Sequence, residues 1–329
     1  MILIIGSNSF AGSSFINFLL KKNLKVIGVS RSNELKNIYL PYKENNFNKK
    51  KFNFFKADLN KDRDLKKIYR IIKKKKIKYV INFAAQGMVA ESWISPEDWY
   101  RTNILSNSKL INQLSKLNLK KYLNFSTPEV YGNTPKKIRE NFNFNPSTPY
   151  AISRSGQDMN LMAYHKYNKF PVVFTRTANI FGPGQQLYRI VPKAIMCAKK
   201  NIQLQLHGGG SSIRSFIFIE DVNRALYEIL FDNNNMGQTF HISTNKFISI
   251  KQLVLKIFDN VNSQKKLIKI VNERKGKDHG YLLNSNKLRA TYSWKEKYNL
   301  DEGINETIKW IENNYKYLKK ENLEYSHKS

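Results

Sequence analysis

The sequence predicts an α/β protein, a doubly wound parallel sheet with a smaller C-terminal substrate-binding cap, from three observations. Short continuous apolar runs recur at intervals typical of buried parallel strands. Segments with helical periodicity lie between them, as the crossovers of a parallel sheet require. The first run leads into a turn with two glycines and then a helical pattern, which is the start of a βαβ unit. The 329 residues suffice for one large domain or two ordinary ones.

Each predicted element follows from a local pattern. Strands are expected where the apolar runs occur, at 2–5, 24–29, 52–57, 79–84, 121–126 and 172–176. Helices are expected in the stretches between them, at 65–73, 99–117 and 153–166. After about Gly182 this alternation ends, and the later elements are a helix at 190–199, a glycine turn at 207–210 and a strand at 216–219 that returns to the first domain.

These elements divide the chain into two parts. The first domain comprises 1–181 and is rejoined by 214–247, while 182–213 and 248–320 form the cap. The last residues, 321–329, are rich in Lys, Glu and Ser, and we expect them to be frayed.

Composition excludes several classes of protein. The single cysteine, Cys197, rules out an intrachain disulfide. No apolar run reaches the ~18 residues that span a membrane, and the opening residues lack the basic leader of a signal peptide. We therefore expect a soluble, cytoplasmic protein with no membrane partner. The histidines stand at no metal-ligand spacing, so no metal site is expected.

The net charge of +31, from 56 Lys and Arg against 25 Asp and Glu, raises the hypothesis of a nucleic-acid partner. The excess is spread along the chain in short clusters such as 49–51 and 73–76. No zinc-ligand spacing, basic heptad or aromatic RNA-binding run accompanies it. We predict a solvated basic surface without a nucleic-acid partner, which would still attract anionic metabolites.

The turn after the first strand predicts a phosphate-binding site. It runs from Gly6 to Gly12, with Ser9 where dinucleotide-binding folds usually carry a middle glycine. Gly6 permits a tight turn, and Gly12 permits close contact between helix and strand. The backbone amides around Ser9 and Phe10 then face a pyrophosphate, whose charge the helix dipole stabilises. This arrangement is typical of a Rossmann dinucleotide-binding domain.

The end of the second strand indicates which dinucleotide is bound. NAD-binding folds place a carboxylate there, which accepts a hydrogen bond from the free ribose 2′-hydroxyl. Here the residues are Ser30 and Arg31, and the first carboxylate is that of Glu34. A guanidinium with neighbouring hydroxyls suits a 2′-phosphate, so we predict NADP as the cofactor, with NAD as the alternative.

A second pattern predicts acid–base chemistry at the carboxyl edge of the sheet. Thr127 and Glu129 directly follow the strand at 121–126, where ligands bind in open α/β folds. Tyr150 and Arg154 open a helix and, being four residues apart, share one of its faces. A phenol has a pKa near ~10 and needs a cation beside it to act as a base near neutral pH, and Arg154 would supply that charge.

Together these motifs resemble the extended short-chain dehydrogenase/reductases, and within them the nucleotide-sugar 4,6-dehydratases. The resemblance covers nearly the whole chain, and its specificity lies in the order and spacing of many short pieces. Besides the motifs above, these pieces are Asp58-Leu59, Asn82-Phe83-Ala84-Ala85-Gln86, Thr102-Asn103, 176–183, Arg214-Ser215-Phe216, Gly276-Lys277-Asp278 and Trp294.

The resemblance implies a redox-neutral dehydration of a nucleoside-diphosphate hexose, in which C4 is oxidised, water leaves from C5 and C6, and the hydride returns to C6. It makes Tyr150 the base at the C4 hydroxyl, with Thr127 bonded to the same oxygen, and Glu129 the base for the C5 proton. It implies a homodimer formed through the helices at 99–117 and 153–166. The cofactor-binding residues that the resemblance implies are Asp58, Leu59, Ala84, Ala85, Tyr150 and Arg154. The substrate-binding residues that it implies are Gln86, Asn179, Asp278 and Arg214, the last of which binds the diphosphate.

Two residues depart from the family pattern. The lysine that the family has four residues after the tyrosine is Arg154 here, which keeps the charge on a larger, planar group. The acid that thymidine-linked members have before the glutamate is Pro128, which donates no proton. The proton for the leaving C6 hydroxyl would then come from Glu129 or from a water.

Other functions stay open at this point. A 4-epimerase or 4-dehydrogenase would use the same fold, although 4-epimerases of the family lack a carboxylate at the position of Glu129. A non-catalytic NADP-binding protein would have no need of Thr127, Glu129 and Tyr150 together. A nucleic-acid binder is the weakest alternative. The sequence carries no readable motif for the nucleotide base or for the hexose.

Overall fold

The computed structural model describes residues 1–44, 49–134, 136–273 and 279–327. Its strands are β1 (Ile2–Ile5), β2 (Val26–Ser30), β3 (Phe52–Lys56), β4 (Tyr79–Asn82), β5 (Lys121–Ser126), β6 (Val172–Thr177), β7 (Asn179–Phe181), β8 (Leu204–His207), β9 (Ile213–Arg214), β10 (Phe216–Phe218), β11 (Thr239–Ile242), β12 (Ile248–Ser249) and β13 (Ile268–Val271).

The α-helices are α1 (Phe10–Lys21), α2 (Pro41–Glu44), α3 (Asp62–Lys74), α4 (Pro96–Trp99), α5 (Asn107–Leu114), α6 (Pro149–Asn168), α7 (Ile190–Lys200), α8 (Ile219–Phe231), α9 (Ile250–Asn260), α10 (Asn286–Tyr292), α11 (Leu300–Asn313) and α12 (Tyr315–Leu318). Tyr100–Ser106 is π-helical, and short 3₁₀ turns lie at Asn37–Tyr39, Lys49–Lys51, Glu91–Trp93, Pro128–Tyr131, Gly208–Gly210 and Lys265–Leu267. Among the described residues, no helix is both long and apolar enough to cross a lipid bilayer.

Seven of these strands form one parallel sheet in the order β11–β6–β5–β4–β1–β2–β3. The chain winds outward in both directions from β1, where Ile4 lies level with Gly28 on one side and Ile81 on the other. A reversal of this kind leaves a crevice beyond the carboxyl ends of the strands, where α/β proteins bind ligands. The prediction of a doubly wound parallel sheet is confirmed.

The sheet is covered by helices on both faces, which explains its continuous apolar runs. Ile2 and Ile4 pack into the core shared with α1 and α8. Leu3 and Ile5 pack into the opposite core, formed with α3, α5 and α6. Successive side chains of β1 point to opposite faces of the sheet, so they enter the two cores alternately. The strand therefore packs against the helices on both faces.

A further hydrophobic core lies between α7, α9 and α11, and we use the name cap for the part of the structure around it. The predicted strand at 216–219 borders this core: as β10 it pairs with β7 and not with the main sheet. Phe216 and Phe218 enter the cap core while Ile217 enters the first-domain core, so β10 separates the two. The strand that does join the main sheet from this part of the chain is β11, which pairs with β6.

The helix predicted at 99–117 is not uniform. It begins with α4, widens into the π-helical turn Tyr100–Ser106 and ends with α5. The side-chain amide of Asn107 donates to the carbonyl of Thr102 at 2.9 Å and so bonds across the widened turn. π-Helical turns often occur at functional sites, and this one borders the cleft described below.

Residues 321–327 pack onto the molecule, although the composition of this region predicts fraying. Leu323 is buried in the cap core, Tyr325 meets the ring of Tyr188, and His327 stacks on Trp99. Side-chain contacts with residues distant in sequence, these among them, hold the segment, and composition alone does not reveal them.

Candidate active site

The carboxyl ends of the central strands open into a cleft of about 860 Å³, bounded on its far side by the cap. It brings together most of the residues that the sequence singled out. Those lining it are Gly6, Ser9, Phe10, Ser30, Arg31, Asp58, Leu59, Ala84, Ala85, Gln86, Thr127, Glu129, Tyr150, Arg154 and Asn179. Gly12 and Arg214 are not among its lining residues, and Asp278 lies outside the described residues.

The glycine turn has the close packing that a dinucleotide fold requires. Gly6 has φ +84°, and a Cβ on it would lie 2.6 Å from the backbone nitrogen of Ala84. Gly12 lies beneath the turn, where a Cβ would come within 2.3 Å of the Gly6 carbonyl oxygen. Ser9 caps α1: its hydroxyl accepts from the Gly12 amide at 3.0 Å and donates to the Gly6 carbonyl at 2.7 Å. The first amides of α1 are thus held at the cleft, in the position where a helix N-terminus binds phosphate.

The end of β2 presents a cation and hydroxyls to the cleft. Ser30 accepts a hydrogen bond from the backbone amide of Asn8 at 3.0 Å, and Arg31 lines the cleft beside it. Glu34, the first carboxylate after the strand, is engaged elsewhere, since it accepts from the Tyr42 hydroxyl at 2.8 Å and pairs with a neighbouring lysine. The chemistry of this edge fits an anionic group better than a neutral ribose.

The opposite wall carries the candidate catalytic residues. Thr127 is extended, and the 3₁₀ turn Pro128–Tyr131 that follows it carries Glu129. Tyr150 lies in the first turn of α6, whose start is fixed by Pro149 and by the Thr148 hydroxyl, which accepts from the Ala151 amide at 3.2 Å. The Thr127 side chain is hydrogen-bonded to the Tyr150 phenol. Strand end and helix start thus place three reactive side chains together.

Arg154 lies one helical turn further along α6 and is only 3% exposed. Its guanidinium donates to the carbonyl of Phe125 at the end of β5. Its Nε is buried and has no hydrogen-bond partner among the described residues. A buried donor without a partner is costly, and here it belongs to a residue that lines the cleft. The observation fits a ligand with acceptor oxygens, such as the ribose hydroxyls of a dinucleotide.

The Tyr150 phenol is not ionised by its surroundings alone. Burial raises its pKa, and the nearby Glu129 carboxylate raises it further. Arg154, the hydrogen bond from Thr127 and, least of all, Arg189 act in the opposite direction. The net effect is a raised pKa, so the single cation expected from the sequence is outweighed by burial and by Glu129.

A buried polar cluster lies directly behind this wall. Asp158 of α6 accepts from the Ser126 hydroxyl at 2.9 Å, the Asn124 amide at 2.7 Å and the Arg176 guanidinium at 3.1 Å. Arg176 also donates to the phenol of Tyr131, at the end of the 3₁₀ turn. The segment with Thr127 and Glu129 is therefore anchored at both ends, by Ser126 and by Tyr131.

The cluster is completed by His241 of β11. Its Nδ1 lies 3.2 Å from the carbonyl of Asn284 and its Nε2 lies 2.8 Å from the Tyr131 hydroxyl, so Nδ1 donates and Nε2 accepts. Burial, reinforced by the charge of Arg176, lowers the pKa of His241 to about 3. The ring is therefore neutral at ordinary pH, and Arg176 and Asp158 are the charged pair of the cluster.

Several cleft residues were not anticipated from the sequence. Arg189, just before α7, places a guanidinium nitrogen near Gly87, 3.8 Å from where a Cβ on that glycine would be. Tyr188, Lys193 and Gln205 line the cleft from the cap. No local pattern distinguishes them from surface residues, because only the folding of the cap over the sheet brings them there.

Asn103, from the Thr102-Asn103 motif, anchors the loop that carries Gln86. It accepts from the Gln86 amide at 2.8 Å, and its own amide donates to the Gln86 carbonyl and to Ser153. The π-helical turn thereby ties the loop that carries Gln86 to the helix that carries Tyr150.

Arg214 does not line the cleft, and its guanidinium is bonded within the protein. Its guanidinium donates to the carbonyls of Ile213 at 2.8 Å and His279 at 2.9 Å, and lies 4.0 Å over the ring of Tyr281. The short antiparallel pairing of β9 with β12 fixes its backbone beside Ile248. These contacts hold the guanidinium outside the lining of the cleft, and the diphosphate-binding role of Arg214 stays a prediction.

We predict that replacing Asp158 by Asn destabilises the fold by about 3 kcal/mol, because it leaves the Arg176 charge buried without its counter-ion. The matched control is Asp62→Asn, which breaks the exposed pair with Lys109 and should leave the stability close to that of the unmodified protein. Urea unfolding of the two variants measures the difference. Equal losses would show that the buried pair does not anchor the wall.

Comparison with protein families shows a match over residues 3–307 to the family described as GDP-mannose 4,6 dehydratase. Among individual proteins, a dTDP-D-glucose 4,6-dehydratase of Dictyostelium discoideum is 29% identical, over 96% of this chain and 82% of that protein.

Solved structures show the same fold. A dTDP-glucose 4,6-dehydratase from Streptomyces venezuelae, solved with NAD bound, superposes with a TM-score of 0.88 at 23% identity, over 96% of this chain and 98% of its own. A UDP-glucose 4-epimerase from Thermotoga maritima superposes with a TM-score of 0.86 at 24% identity, over 95% of this chain and 99% of its own. Both members of this pair share the architecture, so the fold alone does not separate dehydratase from epimerase.

Proposed function

The chain belongs to the GDP-mannose 4,6-dehydratase family, and from that premise we propose how its residues act in the cleft. It is a nucleotide-sugar 4,6-dehydratase, a hydro-lyase that converts a nucleoside-diphosphate hexose into the 4-keto-6-deoxy sugar and water. Oxidation at C4 is balanced by reduction at C6, so the cofactor is unchanged after each cycle. The observation that carries this function is the hydrogen-bonded pair of Thr127 and Tyr150, with Glu129 beside it, in the same cleft as the glycine turn.

The direct test is incubation of the purified protein with a panel of nucleotide sugars that differ in base and hexose. Mass spectrometry should show the loss of one water molecule from at least one of them, without added oxidant. Interconversion of C4 epimers with no loss of mass would support the epimerase alternative instead.

Three side chains divide the proton chemistry. Tyr150 accepts the proton of the C4 hydroxyl, and Thr127 holds the same oxygen by a hydrogen bond. Glu129 removes the C5 proton, which the C4 ketone makes acidic. When bound, a nicotinamide would accept the hydride from C4 and later return it to C6. Gly6, Ser9 and the start of α1 would hold its pyrophosphate, and Arg154 its ribose hydroxyls.

The two departures from the family pattern have distinct consequences. Arg154 still places a positive charge near Tyr150. Its buried guanidinium is held in that position by the hydrogen bond that it donates to the Phe125 carbonyl. Pro128 is buried at the start of the 3₁₀ turn and offers no proton. Glu129, once it has taken the C5 proton, is therefore our proposed donor to the departing C6 hydroxyl.

Substitution of Tyr150 by Phe is expected to abolish C4 oxidation and to leave cofactor affinity nearly intact, because only the acidic hydroxyl is removed. Arg154→Ala should impair both, while Arg154→Lys should retain appreciable activity if the site needs only a cation. The measurements are cofactor titration and single-turnover formation of reduced nicotinamide. Substantial oxidation by Tyr150→Phe would assign the base to another residue.

The Glu129→Gln variant should oxidise C4 but lose dehydration by roughly 10²–10⁴-fold, the usual contribution of a general base. Because the Glu129 carboxylate raises the pKa of Tyr150, its neutralisation should also shift the pH dependence of C4 oxidation to lower pH. Reduced nicotinamide should accumulate without product. A variant with unchanged turnover would exclude Glu129 as the base.

We propose NADP as the preferred cofactor. Arg31 faces the cleft beside Ser30, and Glu34, the first carboxylate after β2, is turned to Tyr42 and so is not arranged to accept from a free 2′-hydroxyl. A guanidinium binds a phosphate dianion through parallel, charge-assisted hydrogen bonds. The solved relative from Streptomyces venezuelae holds NAD, so cofactor choice would differ between members of this fold.

Replacing Arg31 by Ala should weaken NADP binding by about 1.5–3 kcal/mol and leave NAD binding nearly unchanged. Arg63→Ala is the matched control, since it removes one exposed arginine of α3 and so corrects for the change in net charge. Calorimetric titration of both cofactors decides the matter. Tighter binding of NAD than NADP to the unmodified protein would reject the role of Arg31.

We also propose that the protein forms a homodimer through the π-helical turn and α6. Leu105, Ile152 and Met159 are exposed apolar side chains on these elements. Light scattering should give twice the chain mass, and Leu105→Glu with Met159→Glu should give a monomer, because carboxylates buried without partners cost roughly several kcal/mol. The control Ile270→Glu, on the exposed face of β13, should remain dimeric. A monomeric unmodified protein would end the proposal.

A further inference from the structure

The last described residues of the chain, 321–327, form a segment that we term the C-terminal strap. It leaves the cap after α12 and crosses the mouth of the cleft to the first domain. Its middle residues, Glu324, Tyr325 and Ser326, line the cleft itself. The strap is therefore part of the wall of the site and not merely a surface tail.

On the cap side the strap is held by three contacts. Leu323 is buried in the cap core. The Glu324 carboxylate pairs with the Lys193 ammonium of α7 at 2.6 Å. The Tyr325 ring meets the Tyr188 ring edge to face, with centroids 5.1 Å apart, a favoured aromatic geometry.

On the side of the first domain the strap is held at both ends. Glu321 pairs with Lys36, in the loop that follows β2. His327 stacks on Trp99, with centroids 4.9 Å apart and ring planes 12° from parallel. Its Nε2 lies 2.8 Å from the carboxylate of Asp98. Trp99 is fully buried next to the π-helical turn, so His327 stacks on a side chain that is itself packed in the protein.

The position of Tyr325 shows what the strap covers. Tyr325 lines the cleft together with Tyr188, Glu91, Arg31 and Arg189. Arg31 belongs to the end of β2, where the proposed cofactor's ribose phosphate would bind, and Arg189 belongs to the cap. The strap therefore lies between the end of β2 and the cap, along one wall of the cleft.

We propose that the C-terminal strap is a retention element for the dinucleotide cofactor: it is part of the binding wall, and it must lift from Trp99 before the cofactor exchanges. The proposal rests on the proposed function for the identity of the ligand. A reaction that returns its hydride to the same sugar regenerates the cofactor in place. Exchange is then not needed between cycles, and slow release does not limit turnover.

The test is the dissociation rate of a bound nicotinamide nucleotide, measured in the absence of sugar. NADPH or NADH is loaded and displaced by excess oxidised cofactor, with nicotinamide fluorescence as the readout. Tyr325→Ala combined with His327→Ala should release the nucleotide at least about ten-fold faster, as expected for the loss of its aromatic contacts. Tyr317→Ala, a largely exposed tyrosine outside the cleft, is the matched control and should release it at the unmodified rate.

A second measurement uses the unmodified protein and does not depend on how the variants fold. Hydrogen exchange of the amides in 321–327 should slow when cofactor is bound, because the strap then closes over a filled cleft. Exchange that is unaffected by cofactor, or a release rate that the double variant leaves unchanged, would overturn the proposal. If the protein releases the cofactor slowly but dehydrates no nucleotide sugar, the proposal about the strap stands and the proposed function is rejected.

Discussion

The catalytic wall depends on one buried ion pair, between Asp158 of α6 and Arg176 of β6. Tyr150, Arg154 and Asp158 follow one another at intervals of four residues, so one face of α6 carries the phenol, its cation and the anchor. Asp158 also accepts from Ser126, the last residue of β5. The pair thereby fixes how far the helix start lies from the strand end. The Thr127–Tyr150 hydrogen bond is a consequence of this distance.

The same arrangement explains how the site controls its base. In the chain alone, burial and Glu129 keep the Tyr150 phenol protonated, and Thr127 holds it in place. Arg154 cannot move closer to compensate, because its guanidinium is bonded to Phe125. Additional positive charge is required before the phenol ionises near neutral pH, and an oxidised nicotinamide in the cleft carries such a charge. Ionisation of Tyr150 would thus be linked to the presence of the cofactor.

The parts of the structure that could be predicted from sequence are those set by local patterns. The apolar run at 2–5 predicts β1 because both of its faces are buried, and the Gly6–Gly12 spacing predicts the phosphate turn because only glycine fits there. Strand β11 was not predicted, because the polar residue His241 interrupts its apolar pattern. In the structure the His241 ring is neutral, and both of its nitrogens are hydrogen-bonded.

Non-local placement accounts for the other differences. Arg214 was expected at the substrate diphosphate from its motif, but its guanidinium is bonded to the carbonyls of the adjacent Ile213 and of His279, which is distant in sequence. Arg189 and the strap reach the cleft only because the cap folds over the sheet. The strap's composition predicts fraying, whereas its order comes from single contacts such as the stack of His327 on Trp99.

The charges at the mouth of the cleft bear on entry as well as retention. Lys36 and Lys193 are paired with the strap carboxylates Glu321 and Glu324 when the strap is closed. Lifting the strap would free both lysines and make the mouth more positive, which favours approach of an anionic dinucleotide. Salt screens these exposed pairs and the attraction alike. The aromatic contacts of Tyr325 and His327 and the burial of Leu323 are far less sensitive to salt, so at physiological ionic strength these contacts hold the strap closed.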